Sequence, residues 1–127
     1  MRFSLIIFVV MLLSVVGRPE VRASDQRGID LFRIEVRELL STHCLDCHGG
    51  DAVKGDFDLS TREALLSSGF LGDSSGASHL VQVINHMVVP KMPKDKEKLP
   101  PEAIQAITEW IDLGAPYDKP LTEGLKQ

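Results

Sequence analysis

The chain has 127 residues, with 14 basic and 18 acidic side chains, a net charge of −4 and only two cysteines. That length holds one domain, and the acidic balance argues against nucleic acid or an anionic membrane surface as a partner. Two cysteines also exclude the dense disulfide framework of small secreted scaffolds.

The N-terminus reads as an export leader. Arg2 supplies a positive start, Phe3 to Val16 is apolar except for Ser4 and Ser14, and Val21-Arg22-Ala23 has the small residues of a cleavage site. The run is short for a bilayer, which takes about 20 apolar residues, so a signal peptide over 1–23 is expected, with an uncleaved anchor as the alternative. Cleavage would leave 104 residues; because the leader holds Arg2, Arg18 and Arg22 against Glu20, the remainder has 11 basic and 17 acidic side chains, net −6. Such a surface suits steering toward a basic-surfaced protein partner.

The first predicted helix covers Ile29 to His43, with Phe32, Val36, Leu39, Leu40 and His43 at helical spacing and Arg33, Glu35, Arg37 and Glu38 facing away. Asp30 is the expected N-cap, or Asp25 for a longer helix. Turns follow at Gly49-Gly50 and at Lys54-Gly55-Asp56. Ser60 with Glu63 has the form of a capping box, opening a short helix that stops at Gly69. Gly72 to Gly76 is expected as a flexible loop. Ser78 should cap a third helix with the stripe Leu80, Val83, Ile84 and Met87, ended by Pro90 and followed by an extended Lys91-Met92-Pro93. Pro100-Pro101 introduces the last helix. Its apolar face carries Ile104, Ile107, Trp110 and Ile111, and Gly114 and Pro116 stop it. A loose polar tail is expected over 118–127. No strand-like alternation or repeat is visible, so the fold class is all-α, with about four short helices in a domain over 24–117.

Cys44-Leu45-Asp46-Cys47-His48 carries the chemistry. Two cysteines, two spacers and a histidine form the c-type haem attachment pattern, in which the thiols add to the two haem vinyl groups and the imidazole takes one axial position on the iron. Two other readings exist. A dithiol redox pair normally sits near a βαβ pattern, which is missing here. A zinc site using His43 or His48 lacks a second cysteine pair. Export and the motif agree, because covalent haem attachment takes place outside the cytoplasm. Haem would also enlarge a modest core whose aromatics beyond the leader are Phe32, Phe57, Phe70, Trp110 and Tyr117.

A second axial ligand could come from Met92, Met87, His79, His86 or His43. Met92 is favoured, since Pro90 and Pro93 restrict its loop and lower the entropy cost of holding a weak thioether ligand. Met87 fits equally as core, and His79 and His86 as solvated side chains. Lys54 and Arg62 are candidates to neutralise haem propionates.

Together these residues resemble the monohaem class I cytochromes c and, more narrowly, the planctomycete-type cytochrome c domain. The resemblance runs from Phe32 to Leu40 through His43-Cys44, Cys47-His48-Gly49, Lys54-Gly55, Leu59 to Arg62 and Lys91-Met92-Pro93 to Trp110-Ile111 and Gly114-Ala115-Pro116. It implies one covalent haem c on Cys44 and Cys47, with His48 proximal and Met92 distal. It also implies that the first and last helices cross beside the haem, bringing Trp110 near Phe32 or Leu40. The expected function is an exported, periplasmic or secreted single-electron carrier that is not an enzyme. It would serve a redox partner protein and take no small-molecule substrate, meeting a membrane only if the leader stays. The alternatives are a haem protein with an open distal position, acting as a sensor or peroxidase-like enzyme, and a zinc-stabilised secreted interaction module.

Overall fold

The computed structural model describes residues 22–123. The expected leader falls almost wholly outside them, as does the end of the tail. Among the described residues no helix is long and apolar enough to cross a membrane.

The first helix is longer than its periodicity suggested. Helix α1 (Ala23–Leu31), a π-helical segment (Phe32–Val36) and α2 (Arg37–His43) run on without a break, and neither Asp30 nor Asp25 caps the start. Tertiary contacts rather than a cap hold the early turns. Gly28 is buried so close to Pro116 that a Cβ there would come within 2.7 Å of the proline ring, and Arg27 pairs with Glu109. The π segment serves the packing. Gly28, Phe32, Val36 and Leu40 are all buried at a constant spacing of four. In a plain α-helix each such step overshoots a turn by about 40°. The wider π turn takes up the excess, so the four remain on one face.

After α2 the chain breaks at Cys44 and makes one further helical turn, α3 (Leu45–His48). A two-residue extended piece at Ala52–Val53 bridges back to His48, and a 3₁₀ turn covers Lys54–Asp56. Helix α4 (Arg62–Ser67) is capped by Thr61, whose hydroxyl accepts from the Ala64 N–H at 3.1 Å. The expected cap, Ser60, instead donates its own N–H to Asp58 Oδ1 at 2.8 Å. The cap therefore lies one residue later than the Ser60–Glu63 pairing implied.

The Gly72–Gly76 stretch is tied down, not flexible. The backbone N–H and hydroxyl of Ser75 both donate to the Asp112 carboxylate at 2.8 Å, which holds its pKa below the ordinary value. Helix α5 (His79–Ile84) has the expected Ser78 cap, donor Val81 N at 3.3 Å. It ends six residues before Pro90, however, so Met87 falls beyond it and is 72% exposed instead of completing the stripe. Helix α6 (Pro101–Asp112) opens on a proline and buries Ile104, Ile107, Trp110 and Ile111 as expected. Gly114, at φ 89°, turns the chain out of α6 in the left-handed region that glycine adopts without strain.

The first and last helices cross as the resemblance implied. Phe32 stacks on Trp110 at 5.7 Å and on Tyr117 at 4.4 Å between ring centroids. The Trp110 indole N–H donates to Pro116 O, and the Tyr117 hydroxyl to Leu59 O, both at 2.9 Å. The tail is not loose as far as Glu123. Leu121 is buried and its N–H donates to Ser60 O at 2.8 Å. Arg37 donates to Asp118 Oδ1 and to the carbonyls of Lys119, Pro120 and Glu123. One buried leucine and one arginine fork, neither legible as local pattern, convert a polar segment into part of the domain.

Candidate haem cavity

Apart from this crossing, the core walls leave a cavity of about 480 Å³, within the range of small-molecule and cofactor sites. Phe57, Phe70, Leu80, Val83, Ile84 and Leu99 form its apolar lining. Cys44, Cys47, His48 and Met92, the four residues singled out in the sequence, all face it.

The local geometry explains how the motif side chains converge. The Cys47 and His48 N–H groups donate to Cys44 O at 3.2 and 3.0 Å, closing one helical turn. Side chains three and four residues apart share a helix face, so Cys44, Cys47 and His48 all point the same way. The His48 ring is then fixed from behind. Its Nδ1 lies 2.9 Å from Lys54 O and 3.2 Å from Phe57 O, and Phe57 meets the ring edge-on at 5.1 Å. Carbonyl oxygens only accept, so Nδ1 carries the proton and, in the neutral ring, Nε2 keeps a free lone pair. That is the tautomer a metal-ligating histidine needs, with the second nitrogen held by a carbonyl. Burial, and after it the nearby Cys47, push the Cys44 thiol up to about 12. Cys44 therefore stays a protonated thiol at neutral pH.

The loop side of the cavity is built from the end of α5. The Met92 N–H donates to Val83 O, and His86 Nε2 lies against Met92 O, both at 3.0 Å. The other distal candidates separate. Met87 and His86 do not line the cavity, whereas His43 and His79 do, the latter beside Phe70 at 5.4 Å. Lys54 lines the cavity together with Lys94 and Lys96. Arg62 is committed elsewhere, donating to Ala115 O at 3.1 Å and Gly114 O at 2.9 Å at the end of α6. Sequence reasoning missed Phe70 and Leu99 as cavity walls, because each lies in a loop with no periodicity to mark its inward side.

The donor set fits a haem: two thiols, an imidazole of the right tautomer and a thioether on one apolar cavity. Among the described residues no three of histidine, cysteine, aspartate or glutamate gather closely enough to hold a metal ion.

A small all-α domain with a Cys-x-x-Cys-His turn and a Met-Pro loop on a shared apolar cavity has a cytochrome c-like fold. Residues 44–96 match the family model for planctomycete cytochrome C. The resemblance carried by the motifs therefore stands over this stretch, and a cytochrome c domain implies a haem cofactor. No curated protein and no solved structure matches the chain.

Proposed function

We propose that the chain is an exported monohaem c-type cytochrome that carries single electrons and is not an enzyme. Cys44 and Cys47 would each add sulfur and hydrogen across one haem vinyl double bond, giving two thioethers. His48 Nε2 and the Met92 sulfur would be the axial ligands. Cycling between Fe(III) and Fe(II) is what the bound group supplies. The chain's own part is to fix the imidazole, present the thioether and keep the surroundings apolar. Histidine–methionine ligation raises the reduction potential relative to two histidines, which suits an intermediate carrier.

One observation carries the reading: the His48 ring is held at Nδ1 by two backbone carbonyls, leaving Nε2 as the free donor. The partner is a redox protein, and the net acidic chain favours a basic-surfaced one. Lys54, Lys94 and Lys96 at the cavity call for acidic groups on that protein where it touches the rim. The place of work is the periplasm or the exterior, reached through the N-terminal leader.

The test is intact mass and a pyridine haemochrome assay on protein exported by a host with haem-maturation machinery. The expected result is one haem that survives denaturation, with a long-wavelength sulfur-to-iron charge-transfer band in the oxidised form. A polypeptide mass without haem would sink the proposal. Covalent haem with broad high-spin bands that shift on adding carbon monoxide would move it to an open distal position.

A further inference from the structure

Three helices of this domain end by passing through a left-handed residue. At the ends of α4 and α6 that residue is glycine, Gly69 at φ 76° and Gly114 at φ 89°; at the end of α5 it is His86, at φ 60°. The hydrogen bonding after α5 and α6 is the same Schellman pattern. Gly114 N donates to Ile111 O and Ala115 N to Trp110 O; likewise His86 N donates to Val83 O and Met87 N to Gln82 O. A side chain with a Cβ is strained where glycine is not. The stop signal of α5 therefore does not account for a histidine there.

The side chain has a second use. Its Nε2 lies 3.0 Å from Met92 O, and since a carbonyl only accepts, the imidazole donates. Met92 N is meanwhile bound to Val83 O at 3.0 Å. Both backbone groups of Met92 are thus anchored to the end of α5, one through the helix carbonyl and one through the His86 ring. Thioether–iron bonds are weak, so holding the backbone in place lowers the ordering cost of the ligand.

We infer that His86 is a positioning residue: it spends a strained backbone conformation to hold the Met92 loop so that the thioether reaches the iron. The inference rests on Met92 being the distal ligand. It also changes the meaning of His86, which the sequence offered as a rival to Met92 and which the geometry makes its support.

The experiment compares His86→Gly and His86→Gln in the full-length, haem-loaded protein. Melting temperature, the sulfur-to-iron charge-transfer band and the affinity for added imidazole are measured on each. The glycine variant relieves strain and loses the donor. It should melt at or above the wild-type temperature, while its band weakens and imidazole binds about fivefold more tightly, the factor one hydrogen bond represents. The glutamine variant keeps a side-chain N–H donor and the strain, so its band and imidazole affinity should stay near wild type. A glycine variant with an unchanged band and unchanged affinity overturns the proposal, as does a glutamine variant as impaired as the glycine one. A wild-type protein with no such band fails at the earlier step, removing methionine ligation and this role with it.

Discussion

Two regions of the core are built on different terms. The crossing of the first and last helices closes on itself: Phe32, Trp110 and Tyr117 fill one another's surroundings, and the polar ends of Trp110 and Tyr117 are bonded to backbone carbonyls. The cavity side has equally apolar walls, but they face a gap lined by Cys44, Cys47, His48 and Met92. An apolar wall without packed neighbours loses its dispersion contacts. The lesson is a division of labour. The crossing supplies stability from side chains alone, whereas the cavity side offers apolar walls that a haem, under the proposed function, would cover.

That contrast can be broken most sharply at the two cysteines. Cys44→Ala or Cys47→Ala should leave haem singly attached or lost, seen as a drop in covalent haem by denaturing electrophoresis and mass. The crossing should keep the remaining fold helical by circular dichroism. Next in size is Trp110→Ala. The indole is fully buried, so its removal should cost about 3–5 kcal/mol in chemical denaturation. The cost should be similar with or without haem if the crossing is self-sufficient.

Arg37→Ala tests how the crossing is sealed. It removes an ion pair to Asp118 and three donors to tail carbonyls, and should cost about 1.5–3 kcal/mol and expose the 118–123 segment to proteases. Met92→Ala should act on the cavity, abolishing the charge-transfer band and lowering the reduction potential while changing stability by less than Trp110→Ala does.

The smallest effect is alkaline. Burial first, then the nearby Cys44 and Asp58, raise the Tyr117 pKa above its usual 10, with Arg37 opposing. The folded protein therefore keeps the phenolic proton after the unfolded chain has released it. This group's contribution should be complete below pH about 10 and fall as pH rises further. Tyr117→Phe should flatten that decline while costing about 1 kcal/mol at neutral pH for the bond to Leu59 O. Denaturation midpoints between pH 8 and about 11 would check both.

The same division marks what the sequence made legible. The attachment motif, the apolar faces of α5 and α6, the Ser78 cap and the Phe32–Trp110 contact could be read because each follows from local spacing or from the order of motifs. What escaped depended on distant partners. The first helix starts early because Gly28 meets Pro116. The tail is held because Arg37 reaches its carbonyls, and the 72–76 loop is fixed by Asp112. Thr61 rather than Ser60 supplies the cap, because the helix starts one residue later, at Arg62. Met87 left the stripe because a left-handed histidine stopped α5 first, and nothing in that residue's identity announces such a turn.

The π-helical segment has a consequence for length variation. Ile34, at its centre, is 80% exposed, so by burial alone it would seem a harmless residue to delete. Helix geometry agrees. Its loss would let the wide turn tighten to ordinary α-helix, and the eleven remaining steps from Gly28 to Leu40 would still make about three turns, which keeps Gly28 facing Pro116. An added residue has no such slack: it would rotate everything before it by about 100° and swing Gly28 off Pro116 and Arg27 away from Glu109.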